Sequence, residues 1–222
     1  MELMLDTVNI ERIRHYNEHL TIQGVTSNPS IIKKEGHIDF IKHMKEIRRI
    51  IGDDKSLHIQ VIGDTYEAMM QDAESILHQV DDKVYIKVPT TDAGLRVMKE
   101  LKARGTNVTA TAIYSVLQGL LAINVGADYI APYYNRMADI GLDSNDVIGH
   151  LAQRIEQTNS PAKILAASFK NSYQMVDALA FGAQSVTVGP DILEANLDTV
   201  AVQKAVNDFK ADWESLYQKD HI

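Results

Sequence analysis

A chain of 222 residues with 45% hydrophobic and 23% charged side chains has the make-up of a globular protein, long enough for one core and short for two domains. A formal charge of −8 excludes a broad nucleic-acid surface while leaving room for a local basic cluster that holds a small anion. With no cysteine, disulfides, thiolate nucleophiles and cysteine metal sites are all excluded.

The start, MELMLDT, carries two acids and no basic region ahead of an apolar one, and no apolar run approaches membrane-spanning length. We read the chain as cytoplasmic, with no membrane and no nucleic-acid partner. Glu2 to Thr7 alternates as a first strand ending in an acid, Asp6. Val8, Ile13, Tyr16 and Leu20 recur at near-helical spacing. Ile22 to Thr26 is a second strand running into Ser27, Asn28 and Pro29. Ile38, Ile41, Met44, Ile47 and Ile51 predict an amphipathic helix closed by Gly52, a C-terminal cap.

Leu57 to Ile62 is a third strand with Gln60 among apolar neighbours, and Asp64 to Val80 its helix. Lys83 to Thr90, KVYIKVPT, is the fourth strand, with Lys87 near its carboxyl end and Pro89 ending the run. Asp92 is read as the cap of a helix reaching Gly105. Asn107 to Ala112 follows as strand five, then a helix from Tyr114 to Gly126 and a short strand from Asp128 to Ala131. The segment Met137 to Asp146 reads as a loop before a helix from about Val147 to Gln157. Lys163 to Ser168 and Ser185 to Val188 are strands seven and eight, separated by a helix from Tyr173 to Phe181.

Eight strands alternating with helices predict a single α/β domain over residues 1–222, a (β/α)8 TIM barrel. A doubly wound open sheet is the alternative, but the glycine-rich phosphate turn that usually accompanies it is missing. Leu197 to Tyr217 is an additional C-terminal helix with Val202, Val206, Phe209, Trp213 and Leu216 on one stripe. That stripe packs either on its own barrel or on a neighbouring subunit.

Catalytic groups of such barrels come from the carboxyl ends of the strands. The expected exits carry Asp6, Thr26 with Asn28, Gln60, Lys87, Thr111, Tyr133 with Asn135 and Arg136, and Ser168 with Lys170. Each has a plainer explanation: a helix cap for Asp6, turn formers at Thr26 and Asn28, a satisfied core amide at Gln60, a strand residue at Thr111. Tyr133 could be a packing aromatic, Arg136 and Lys170 surface cations, and Ser168 a strand-end hydroxyl. Jointly those explanations require polar groups to converge by chance on one end of the barrel. Lys87 in particular either extends into water or, facing the interior, is desolvated. Desolvation disfavours its charged form and frees the amine to attack a carbonyl carbon. The histidines show no metal-ligand spacing such as HExxH; His15 and His19 share a helix face without a third ligand, and neither a GxSxG elbow nor a Walker loop occurs.

The motifs LDT at 5–7, GVTSNPS at 24–30, IKVPTT at 86–91, APYYNR at 131–136 and LAASFK at 165–170, with Asp212-Trp213 near the end, resemble the small transaldolases. Within them the chain is most similar to the fructose-6-phosphate aldolase branch. The resemblance implies a barrel that uses no cofactor and no metal, with Lys87 as the Schiff-base lysine. It implies that Asp6 and Asn28 hold substrate hydroxyls with support from Thr26. Arg136, Ser168 and Lys170, with Asn135 nearby, would bind the phosphate end of a sugar, and Gln60, Thr111 and Tyr133 would hold the water for proton transfer. True transaldolases usually have glutamate and phenylalanine where Gln60 and Tyr133 stand, so the pair implies aldol cleavage of a ketose phosphate such as fructose 6-phosphate. The alternatives are transfer of the dihydroxyacetone unit to erythrose 4-phosphate, in the pentose phosphate pathway, and a non-catalytic sugar-phosphate binding barrel. The partners implied are sugar phosphates and further copies of the chain in a ring-like homo-oligomer such as a decamer.

Overall fold

The computed structural model describes all 222 residues. It begins with β1 (Glu2–Asp6), α1 (Ile10–His19), β2 (Gly24–Thr26), α2 (Pro29–Glu35) and α3 (Phe40–Ile51). Then come β3 (Ser56–Gln60), α4 (Tyr66–Gln79), β4 (Tyr85–Pro89), α5 (Asp92–Ala103), β5 (Val108–Ile113) and α6 (Val116–Asn124). The last part holds β6 (Tyr129–Pro132), α7 (Tyr134–Asp139), α8 (Ser144–Thr158), β7 (Lys163–Ala166), α9 (Ser172–Ala180), β8 (Ser185–Val188), α10 (Pro190–Leu197) and α11 (Val200–Tyr217). The eight strands are all parallel and pair in chain order, β8 returning to β1, so the sheet closes into the barrel that the alternation of strands and helices implied.

Alternation along each strand divides the interior in two. Residues such as Ile86 and Val88 on β4 join a core cluster of 40 buried residues between the sheet and the helices. Their neighbours Tyr85 and Lys87 face the barrel's axis. Near the amino ends of the strands the axis is filled by Met4, Tyr129 and Leu165, against which Tyr85 packs. The buried His58 stacks on Tyr85 with ring centroids 4.7 Å apart and meets Tyr129 edge-on at 5.3 Å. Its Nδ1 lies 2.8 Å from Thr109 Oγ1 and its Nε2 2.9 Å from Ser56 Oγ, so both nitrogens are satisfied. Burial, followed by the charges of Lys87 and Arg48, holds its pKa well below the ordinary histidine value, and the imidazole is neutral. This packed layer is the floor beneath Lys87.

Several local expectations are revised. Thr91, not Asp92, caps α5, its hydroxyl accepting from the Gly94 backbone N–H; Asp92 is the first helical residue. Gly94 lets α5 approach the end of β4, since a Cβ there would lie 1.9 Å from the Pro89 carbonyl oxygen. Gly52 does end α3, with φ of 75°. The segment read as a loop from Met137 to Asp146 contains the second half of α7 and the start of α8, which Asp143 caps by accepting from the backbone N–H groups of Asn145 and Asp146. Three helices, α2, α7 and α10, are too short to show apolar periodicity; α2 and α10 begin with proline at the first helical position, which suits proline's missing N–H.

The stripe on α11 does not pack on its own barrel: the helix buries no residue, and Phe209 remains 71% exposed. No helix is long and apolar enough to cross a membrane.

Candidate active site

A cavity of about 180 Å³ opens at the carboxyl ends of the strands, with Lys87 at its base and Asp6, Asn28, Tyr133, Arg136 and Ser168 in its walls. Lys87 is 2% exposed, and its Nζ donates to the Ser27 carbonyl oxygen at 3.2 Å. A long amine is held there because Ile86 and Val88 turn outward into the core while Lys87 follows Tyr85 toward the axis. Asp6, at the end of β1, accepts from Thr26 Oγ1 at 2.7 Å, and Thr26 Oγ1 is also 2.6 Å from Thr187 Oγ1. Burial raises the Asp6 pKa above the ordinary carboxylate value, opposed by the charge of Lys87, the Thr26 hydrogen bond and the charges of Lys34 and Arg136. Asp6 is not a helix cap: Asn9 caps α1, accepting from the Arg12 backbone N–H.

Gln60 is in register with Lys87 across the β3–β4 pair. Its Oε1 is buried and accepts no hydrogen bond within the chain, so it is not the satisfied core amide of the plainer reading. The buried Thr111 Oγ1 and Tyr133 OH are 2.8 Å apart. Thr111 is followed by an irregularity in the β5–β6 register, where Ala112 takes φ of 57°. Ser168 likewise has φ of 64°, which ends β7 before the residues expected to continue it. Positive φ at two non-glycine residues, Ser168 in the cavity wall and Ala112 next to the threonine that pairs with Tyr133, is the kind of backbone strain that clusters at functional sites.

Arg136 extends from α7, its guanidinium 5.0 Å from the centre of the Tyr133 ring and donating to Tyr114 OH at 3.3 Å. Five expected members do not line the cavity: Thr26 and Thr111 stand behind it through their hydrogen bonds to Asp6 and Tyr133, Gln60 lines a neighbouring groove with Pro29, Ile32 and Phe40, and Asn135 and Lys170 are engaged elsewhere. The Asn135 amide is used on both sides, donating to Asp139 Oδ2 at 2.8 Å and accepting from Gln174 Nε2 at 2.9 Å. Lys170 is exposed with its Nζ 3.8 Å from Asp139 Oδ1, outside the cavity walls. Asparagine and lysine after a strand exit carry no sign of which way the following helix turns them. Conversely, Ser30, Lys34 and Tyr114 escaped the strand-exit pattern. The first two lie on α2, whose presence Pro29 at the first helical position could have signalled.

A buried amine beside a carboxylate, a hydrogen-bonded phenol and threonine, and a guanidinium at the rim can bind a carbonyl compound covalently, move a proton and hold an anion. Residues 3–220 match the model of a family described as transaldolase/fructose-6-phosphate aldolase. A protein of Streptococcus pneumoniae (strain ATCC 700669 / Spain 23F-1) described as a probable fructose-6-phosphate aldolase is 53% identical over 213 residues, 96% of each chain. With its closed barrel and a family match over almost its whole length, the chain belongs to the transaldolase/fructose-6-phosphate aldolase family.

Proposed function

We propose that this enzyme is a class I aldolase that cleaves or forms the C3–C4 bond of a ketose phosphate such as fructose 6-phosphate, giving dihydroxyacetone and glyceraldehyde 3-phosphate. The observation that carries the proposal is the placement of Lys87 Nζ, buried at the base of a polar cavity and held by a backbone carbonyl beside Asp6. The similar protein described as a probable fructose-6-phosphate aldolase supports the choice of substrate. The amine adds to the ketone carbon, and loss of water leaves an iminium. The C3–C4 electron pair then moves into the iminium to form an enamine, while the C4 hydroxyl proton leaves and the aldehyde departs. Protonation of the enamine carbon and hydrolysis of the resulting iminium release dihydroxyacetone and restore Lys87. Lysine supplies the electron sink, so the steps balance without a cofactor.

Asp6 and Asn28 hold substrate hydroxyls in this scheme. Tyr133 with Thr111, and Gln60 through a bound water, carry the proton. An amide cannot itself exchange a proton, so the phenol has that task. Borohydride reduction of the enzyme with fructose 6-phosphate tests the scheme: a stable adduct on Lys87 is expected, and enzyme that turns over substrate without a reducible adduct would refute it.

Arg136 with Ser168 binds the phosphate end. Arg136→Ala is expected to weaken phosphorylated aldehydes by about 1.5 kcal/mol, the low end for a charged hydrogen bond because the guanidinium stands partly in water. Equal losses for glyceraldehyde 3-phosphate and glyceraldehyde in steady-state synthesis assays would remove Arg136 from that role.

The proposal extends to assembly as a homo-oligomer through α11. Phe209, Val202, Val206 and Leu216 are exposed on a helix that buries no residue, while Trp213 is half-buried against Tyr217 on the same helix. Burying Phe209 and Trp213 alone is worth roughly 3 to 6 kcal/mol. Deleting residues from Thr199 onward is expected to lower the mass seen in sedimentation. A monomeric full-length chain would contradict this.

A further inference from the structure

The cavity over Lys87 contains a cation that no strand exit supplies. Lys34, on α2, lines it together with Asp6, Lys87 and Arg136, so three cations face one carboxylate. Its ammonium is near enough to Asp6 to favour the ionised carboxylate, as those of Lys87 and Arg136 do. It forms no ion pair within the chain, whereas Lys170 has Asp139 within 4 Å and lies outside the cavity. Lys33, the adjacent residue on the same helix, faces a different groove, lined by Phe40, Ile41 and Ile76.

During turnover the Lys87 nitrogen is occupied by the bond to substrate carbon, and Asp6 offsets one positive charge. Lys34 and Arg136 remain as the cations able to meet a phosphate dianion. A flexible ammonium with three donors suits such a group as a point charge, complementing the planar guanidinium. We propose that Lys34 is a specificity-determining residue that, with Arg136, recruits the phosphorylated end of the substrate. The inference rests on the sugar-phosphate reading above and adds to it a cation from α2 in place of Lys170.

The test uses the full-length enzyme, Lys34→Gln, Lys34→Arg and the neighbouring control Lys33→Gln. Each is assayed for ketose synthesis from dihydroxyacetone with glyceraldehyde 3-phosphate or with glyceraldehyde. Lys34→Gln is expected to lower kcat/KM for the phosphorylated aldehyde about tenfold more than for glyceraldehyde, mainly through KM, which is the weight of one charged contact. Lys34→Arg should restore most of that preference, and Lys33→Gln should leave the ratio between the two aldehydes within about twofold of wild type, as for a surface charge.

Binding of inorganic phosphate, measured by calorimetry at low salt, separates this inference from the aldolase reading because it needs no turnover. Weaker phosphate binding by Lys34→Gln supports the assignment, and does so even if the wild type makes no ketose, a result that would sink only the aldolase reading. Equal phosphate affinity in wild type and Lys34→Gln, no phosphate binding by the wild type, or equal losses for both aldehydes would overturn the assignment.

Discussion

Lys87→Met is expected to abolish aldol cleavage and borohydride trapping while leaving the barrel folded. Methionine keeps an unbranched stem of similar length and removes the nucleophile, so no iminium can form and the electron sink disappears. The fold should tolerate the change because the amine is buried at 2% exposure and makes one hydrogen bond, to Ser27 O. Losing that bond leaves the Ser27 carbonyl without its donor, a cost of about 1 kcal/mol. Removing the burden of a desolvated amine offsets it. The melting temperature should therefore move by no more than about 4 °C, the shift of roughly 1 kcal/mol in a chain of this size. Mass spectrometry after borohydride reduction should show added mass in the wild type alone. A variant that still forms the adduct and turns over would place the nucleophile elsewhere.

The second large effect belongs to Tyr133. Tyr133→Phe deletes the hydroxyl that lies 2.8 Å from Thr111 Oγ1 but keeps the ring beneath the Arg136 guanidinium. The anion-binding side of the cavity is preserved, so the loss should fall on kcat. It should amount to about 10²-fold, the usual contribution of one acid-base group, with KM little changed. A change confined to KM would mean that Tyr133 positions substrate and moves no proton. Gln60→Glu acts on the same step: in register with Lys87, a carboxylate at that position can hold and return protons where the amide cannot. It should raise transfer to erythrose 4-phosphate relative to release of dihydroxyacetone.

The sequence carried the barrel because its strands obey simple rules. Ile86 and Val88 alternate with Tyr85 and Lys87, and that alternation alone distinguishes the helix-facing core from the axis. Strand exits were legible for the same reason: Asp6, Thr26, Lys87 and Thr111 all sit near the carboxyl ends of short apolar runs, and the structure gathers them with Tyr133 and Arg136 around one cavity and its walls. What lay beyond the exits was less legible. Once a chain leaves a strand, side-chain direction depends on helices of one or two turns, and these are too short to show a period. Thus Asn135 and Lys170 read as site residues but pair with Gln174 and Asp139, while Lys34 and Tyr114 enter the site unannounced. The strain at Ala112 and Ser168 was equally hidden, because nothing in an alanine or a serine marks a positive φ.

The most direct test of the account is the product ratio of the wild-type enzyme given fructose 6-phosphate and erythrose 4-phosphate together. If Gln60 and Tyr133 have the proton-transfer roles proposed for them, free dihydroxyacetone should dominate, and omitting erythrose 4-phosphate should leave its rate of release nearly unchanged. If sedoheptulose 7-phosphate dominates and little dihydroxyacetone appears, the enamine is being captured instead of protonated. The enzyme would then be a transaldolase.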